Sequence, residues 1–161
     1  MELNILSASQ ENPYYEEVDC EIIPSFYTVT EKGKIYLNHT KFLKFLENYG
    51  FHTVRDKATI KLVHIHENII TEIYPYDIKM FVIGYAEKYF SEEVNNYLLS
   101  NSKIYTADYL NALEEVNPKL VRDTKDTSYF LYKDGAVKVT KESVAPPVPY
   151  KEFDRLVWAK Q

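Results

Sequence analysis

From Ile22 onward, apolar residues fall into short β-prone runs and helical stripes. Phe26-Tyr27-Thr28-Val29 and Ile35-Tyr36-Leu37 flank Thr30-Glu31-Lys32-Gly33-Lys34, which predicts a hairpin. A helix is predicted directly after it, capped by Asn38 or Thr40. Its stripe is Phe42, Leu43, Phe45, Leu46 and Tyr49, and Gly50 suits the left-handed position that ends it. Thr53–Arg55 and Ile60–Ile73 then alternate between faces. The polar break Asp56-Lys57-Ala58-Thr59 and the turn residues Glu67-Asn68 split them into a β-meander. Ile78, Phe81, Val82, Tyr85 and Tyr89 lie on one stripe of a second helix over 76–89, with Asp77 in its first turn.

Two shorter helices are expected at 91–99 and 106–116, the latter ended by Asn117-Pro118. The pattern then returns to strands, with 128–132 and 136–140 joined by Lys133-Asp134-Gly135, an Asp-Gly hairpin signal. The three prolines of 144–150 predict an extended connector, and 153–161 read as the start of an amphipathic helix. Before Ile22 there is little periodicity beyond a short strand signal at Leu3–Leu6. The fold class expected is therefore α+β: a small antiparallel sheet or hairpins packed with about four to five helices, winged-helix-like in part. Three regions are expected: an acidic, loosely ordered leader (1–21), a basic β-α-β-α module (22–90), and a helical segment with hairpin and connector (91–161) leading toward a further C-terminal domain.

Composition sharpens this picture. Hydrophobic residues at 45% and aromatics at 15% are enough to build a core and argue against disorder. The single cysteine, Cys20, has no internal disulfide partner, and the sequence shows neither a signal-peptide pattern nor an apolar run long enough for a membrane span. The cytoplasm is the expected compartment, without a membrane partner. The net charge of −5 hides an asymmetry. Residues 1–31 carry seven acids and no Lys or Arg, whereas 32–61 carry seven bases against Glu47 and Asp56. An acidic leader thus precedes a basic block of the kind that neutralises phosphates.

Candidate chemistry is sparse. The four glycines are isolated, so no P-loop or dinucleotide fingerprint can be written, and no cofactor is expected. His64 and His66 share a strand face, with His52 and Glu67 in the same stretch, but two ligands make no metal site; the ordinary place for such histidines is a strand surface. The pairs Glu92/Glu93, Glu114/Glu115 and Asp123/Asp126 fall at helix starts, helix faces or turns, where acids favour the helix dipole and solvent. Cys20 has no evident base to activate it. The expectation is of no catalytic residue, no metal and no enzyme activity in this chain alone. The basic block is the stronger signal: Lys32 and Lys34 on a hairpin tip, Lys41 and Lys44 on a helix face, and Arg55, Lys57 and Lys61 around the next turn are the expected phosphate contacts. Tyr36, His39 and His52 are interleaved for stacking or hydrogen bonding. A solvated lysine face is the ordinary alternative.

Several phrases carry a resemblance: Phe26-Tyr27-Thr28-Val29 with Gly33-Lys34-Ile35 and Phe42-Leu43-Lys44-Phe45-Leu46; Tyr49-Gly50-Phe51; Ile73 to Phe81-Val82; and Tyr129 to Val139 around Asp134-Gly135. Together they resemble the region ahead of the ATPase in primase-helicase-type replication proteins of Bacteroidetes phages and mobile elements, relatives of poxvirus-type primase-helicases. The resemblance spans most of 25–161, with Asp134 where that turn commonly has Asn. It implies a DNA-engaging accessory module whose helicase motor would lie beyond Gln161, with DNA and that motor domain as partners and homo-oligomers possible. No helicase or primase catalytic motif is present to carry over. The alternative expectation is a protein-interaction or oligomerisation module in which 129–158 docks on such a motor. A divergent metal-dependent nuclease or primase using His64 and His66 is the remaining reading.

Overall fold

The computed structural model describes residues 26–153 and 155–159, so the leader, its strand signal at Leu3–Leu6 and Cys20 lie outside the described residues. The chain is α+β. Strands β1 (Tyr27–Val29) and β2 (Ile35–Leu37) pair antiparallel as the first hairpin. Helix α1 (His39–Asn48) follows at once, and the Asn38 side chain caps it by accepting the Lys41 backbone N–H at 3.0 Å. Gly50, at φ +81, turns the chain out of the helix into β3 (Phe51–Asp56). Strands β4 (Thr59–His66) and β5 (Ile69–Glu72) complete the predicted meander. Glu67 and Asn68, both at positive φ, form the two-residue turn between them. Helix α2 (Pro75–Tyr89) starts with the Asp77 carboxylate accepting the Tyr74 N–H at 2.7 Å.

The meander has two buried faces. Strand alternation sends Phe51, Leu62 and Ile73 into a core with Phe42, Phe45 and Leu46 of α1 and Phe81, Val82 and Tyr85 of α2. Helix α3 (Glu92–Ser100) adds Val94 and Leu98 to this core, and Ile104 and Leu110 join them from the segment that follows. The opposite face offers Val54, Val63 and Ile70, covered by Val116, Leu120, Leu156 and Trp158.

Three expectations are corrected. The helix predicted over 106–116 is only the single turn α4 (Ala107–Leu110). The chain beyond it is drawn onto the outer edge of β3: Thr53 N–H donates to Glu114 O, Val116 N–H to Thr53 O, and the buried Thr53 hydroxyl to Leu113 O at 3.1 Å. Pairing three backbone and side-chain groups of a buried edge outweighs a weak helical pattern. Second, 153–161 is not a helix start. After a 3-10 turn at Tyr150–Glu152, β8 (Val157–Trp158) adds to β5 in parallel, giving the sheet order β3-β4-β5-β8. Leu156 and Trp158 face one side and buried Val157 the other, a period of two that so few residues do not distinguish from a helix. Third, in the hairpin of β6 (Thr127–Tyr132) and β7 (Gly135–Thr140), the turn residues are Lys133 and Asp134, and Gly135 belongs to the strand. A side chain at Gly135 would meet the Val148 carbonyl, because the extended connector lies against β7 there.

Asn68 ties the end of the chain to the meander. Its side-chain N–H groups donate to Phe153 O at 2.7 Å and Tyr150 O at 3.0 Å, while its own carbonyl accepts from Val157 N–H.

Candidate functional site

The seven expected phosphate contacts divide into two groups. Lys44, Arg55 and Lys61 are ion-paired within the chain. Lys44 Nζ stands 2.5 Å from the Glu47 carboxylate. Arg55 grips Glu115 through two bonds, Nε to Oε1 at 3.1 Å and the terminal nitrogen to Oε2 at 2.7 Å, which raises the guanidinium pKa and lowers that of the carboxyl. Lys61 Nζ lies between Glu72 at 3.2 Å and Asp56 at 3.5 Å. A phosphate reaching any of the three would compete with a carboxylate already there.

Lys32, Lys34, Lys41 and Lys57 are exposed and make no ion pair among the described residues. Lys57 stands alone in the β3–β4 turn at φ +55. The other three belong to contiguous elements. Lys32 is in the β1–β2 turn and Lys34 enters β2, with its Nζ 4.9 Å from the centre of the Tyr36 ring. Tyr36 is 49% exposed, two residues along the same strand face. Lys41 follows in the first turn of α1, which β2 enters through Asn38 alone. Thr30 stiffens the tip: its hydroxyl accepts Lys34 N–H at 3.1 Å, and its carbonyl accepts Gly33 N–H at 2.8 Å.

The interleaved residues also separate. Tyr36 is open, but His39 Nδ1 is 2.8 Å from the Tyr109 hydroxyl, whose pKa burial pushes up to about 12. His52 is half-buried beside Glu47 and Glu114, and its Nδ1 has no hydrogen-bond partner among the described residues. His64 points Nε2 at the Tyr49 carbonyl, 3.0 Å away, and stacks on His66 with ring centres 6.1 Å apart. Among the described residues no group of three or more His, Cys, Asp or Glu is placed to hold a metal ion. The acid pairs are spent locally: Glu93 on its own helix start, Glu115 on Arg55, Asp123 on the Tyr129 N–H and Asp126 on Lys141.

His52 and His64 make stability depend on pH. Desolvation outweighs nearby carboxylates and the Tyr49 carbonyl, holding both pKa values below the ordinary 6.5. The folded state therefore binds fewer protons than the unfolded chain as pH falls through 6.5 toward the folded values. The stabilisation is complete above that pH and is lost below it. The urea midpoint is expected to fall between about pH 7.5 and about pH 5.5, and a His52→Gln/His64→Gln variant should flatten that part of the curve. A wild-type midpoint that does not move would contradict this.

A second feature was invisible in the sequence. A cavity of about 440 Å³ opens between the outer sheet face and the 117–122 segment, with Arg55, Lys61, Arg122 and Trp158 in its lining. It depends on β8 joining the sheet, which places Trp158 more than a hundred residues along the chain from Val54, on the same face.

Finally, the β6–β7 hairpin shows solvent an apolar face: Phe130 is 53% and Tyr132 62% exposed. No helix among the described residues is long and apolar enough to cross a membrane. No family model, curated protein or solved structure matches the chain.

Proposed function

We propose that the chain is a non-catalytic, DNA-engaging accessory module, of the kind found ahead of the motor in the phage-type primase-helicases it resembles. One observation carries this reading: the β1–β2 hairpin and the start of α1 present Lys32, Lys34 and Lys41 without carboxylate partners among the described residues, beside an exposed Tyr36. Lysines meet phosphates, and a tyrosine face among them accepts a base by stacking. The contact surface is thus narrower than the basic block as a whole, because Lys44, Arg55 and Lys61 already neutralise acids of the chain.

Phosphate contacts release counterions, so the logarithm of affinity should fall with the logarithm of salt. Three lysine contacts account for a slope of about 2 on single strands. The Lys32→Ala/Lys34→Ala/Lys41→Ala variant should therefore lose affinity at low salt and lose about that much slope. A matched three-charge deletion around the other hairpin, Lys125→Ala/Lys133→Ala/Lys138→Ala, should change little. Equal losses in the two variants would reduce the interaction to a general charge effect and remove the hairpin from it.

The second reading is a protein-interaction module, favoured by the exposed Phe130 and Tyr132. Neither would be touched by the lysine changes, so a chain that ignores DNA at every salt concentration would leave this reading standing.

A further inference from the structure

We infer that the cavity on the outer sheet face is a binding site for a planar ring carrying a phosphate, that is, a nucleotide unit. It stands apart from the hairpin surface and shares none of its residues. At about 440 Å³ it is in the range of small-molecule sites. Val54, Ile70 and Leu120 give it an apolar floor. Trp158 forms a wall, its backbone held in β8 by pairing with Ile70 and its ring partly buried against that floor. An aromatic wall fixed by a strand is suited to stacking a base.

One lining cation is left to take an anion. Asp56 and Glu72 share Lys61, and Arg55 is bound by Glu115, so those cations are satisfied. Arg122 also lines the cavity, is exposed, and has no ion pair among the described residues. With Glu115 counted, three cations and three carboxylates balance at the cavity, and Arg122 is the lining cation not engaged by a carboxylate among the described residues. A guanidinium beside an aromatic wall matches a phosphate beside a base. A divalent cation fits less well, since both lining carboxylates are already engaged by Lys61.

Trp158 is the sole tryptophan of the chain; it also borders a smaller cavity beside Tyr132 and Tyr150, and Arg122, which lines only the first cavity, tells the two apart. Titration of the whole chain with a nucleoside monophosphate should quench it saturably. The same nucleoside without phosphate, and the Arg122→Ala variant with the phosphorylated form, should each bind about tenfold more weakly or worse. Arg122 is exposed, so its loss leaves the core intact. A short oligothymidylate separates the sources: quenching at lower concentration than the monophosphate assigns the site to a strand, and the reverse assigns it to a free nucleotide. Absence of saturable quenching by any of these probes overturns the inference, as does quenching indifferent to both the phosphate and Arg122. The Lys32→Ala/Lys34→Ala/Lys41→Ala variant should retain monophosphate quenching, so failure at the hairpin and failure at the groove are read separately.

Discussion

Phe45→Ala is expected to cost about 3–5 kcal/mol, a large share of the roughly 5–15 kcal/mol that holds a domain folded. The Phe45 side chain is 1% exposed and is the centre of the aromatic core. Its ring lies 4.8 Å from Phe26, 4.9 Å from Tyr85, 5.1 Å from Tyr49 and 5.9 Å from Phe81, joining the first hairpin, α1 and α2. Truncation removes the transfer free energy of the ring and leaves a void. Neighbours of this size, held by three different elements, cannot easily refill it. Urea denaturation should show a much lower midpoint with a similar slope. A loss below about 1 kcal/mol would mean that the core is not organised around this ring.

Gly50→Ala is the second large effect. At φ +81 an alanine costs about 1–3 kcal/mol in backbone conformation alone. Its methyl group would also be driven into the Ile65 carbonyl, at the point where Ile65 N–H donates to Gly50 O at 2.8 Å. Backbone cannot swing aside as a side chain can, so either β4 shifts or the corner between α1 and β3 opens. Gly33 supplies the comparison: it has φ +74, but nothing lies within 4 Å of an added Cβ. Gly33→Ala should therefore show the conformational cost only. The excess destabilisation of Gly50→Ala over Gly33→Ala measures the close approach of the two backbones, and equal effects would deny it.

These two positions also show why much of the fold could be read from sequence. Gly50, Asn38 and the Phe42–Phe45–Leu46 stripe act within a few residues of one another, so local periodicity and cap chemistry sufficed. The first hairpin and the meander were legible for the same reason, their turns being set by Thr30–Lys34 and Glu67-Asn68. What failed was decided at long range. The 111–116 segment follows the unpaired edge of β3, and 156–158 follow the open edge of β5 with Asn68 as their anchor. Neither edge exists until distant strands have formed.

The same distinction governs the site. The sequence displayed seven bases, but not that Glu115, sixty positions away, would hold Arg55, or that Glu72 would lie beside Lys61 across β4 and β5. Lys32, Lys34 and Tyr36 were readable as a unit because a hairpin places them together. The groove around Trp158 and Arg122 could not be foreseen, since its walls meet only through β8.

The most direct test of the DNA-engaging reading is fluorescence anisotropy of labelled single- and double-stranded DNA, titrated with the chain and with its Lys32→Ala/Lys34→Ala/Lys41→Ala variant at low and moderate salt. The account predicts binding that weakens as salt rises and is largely lost in the variant. Absence of binding at low salt, where charges are least screened, or full binding by the variant, would contradict it.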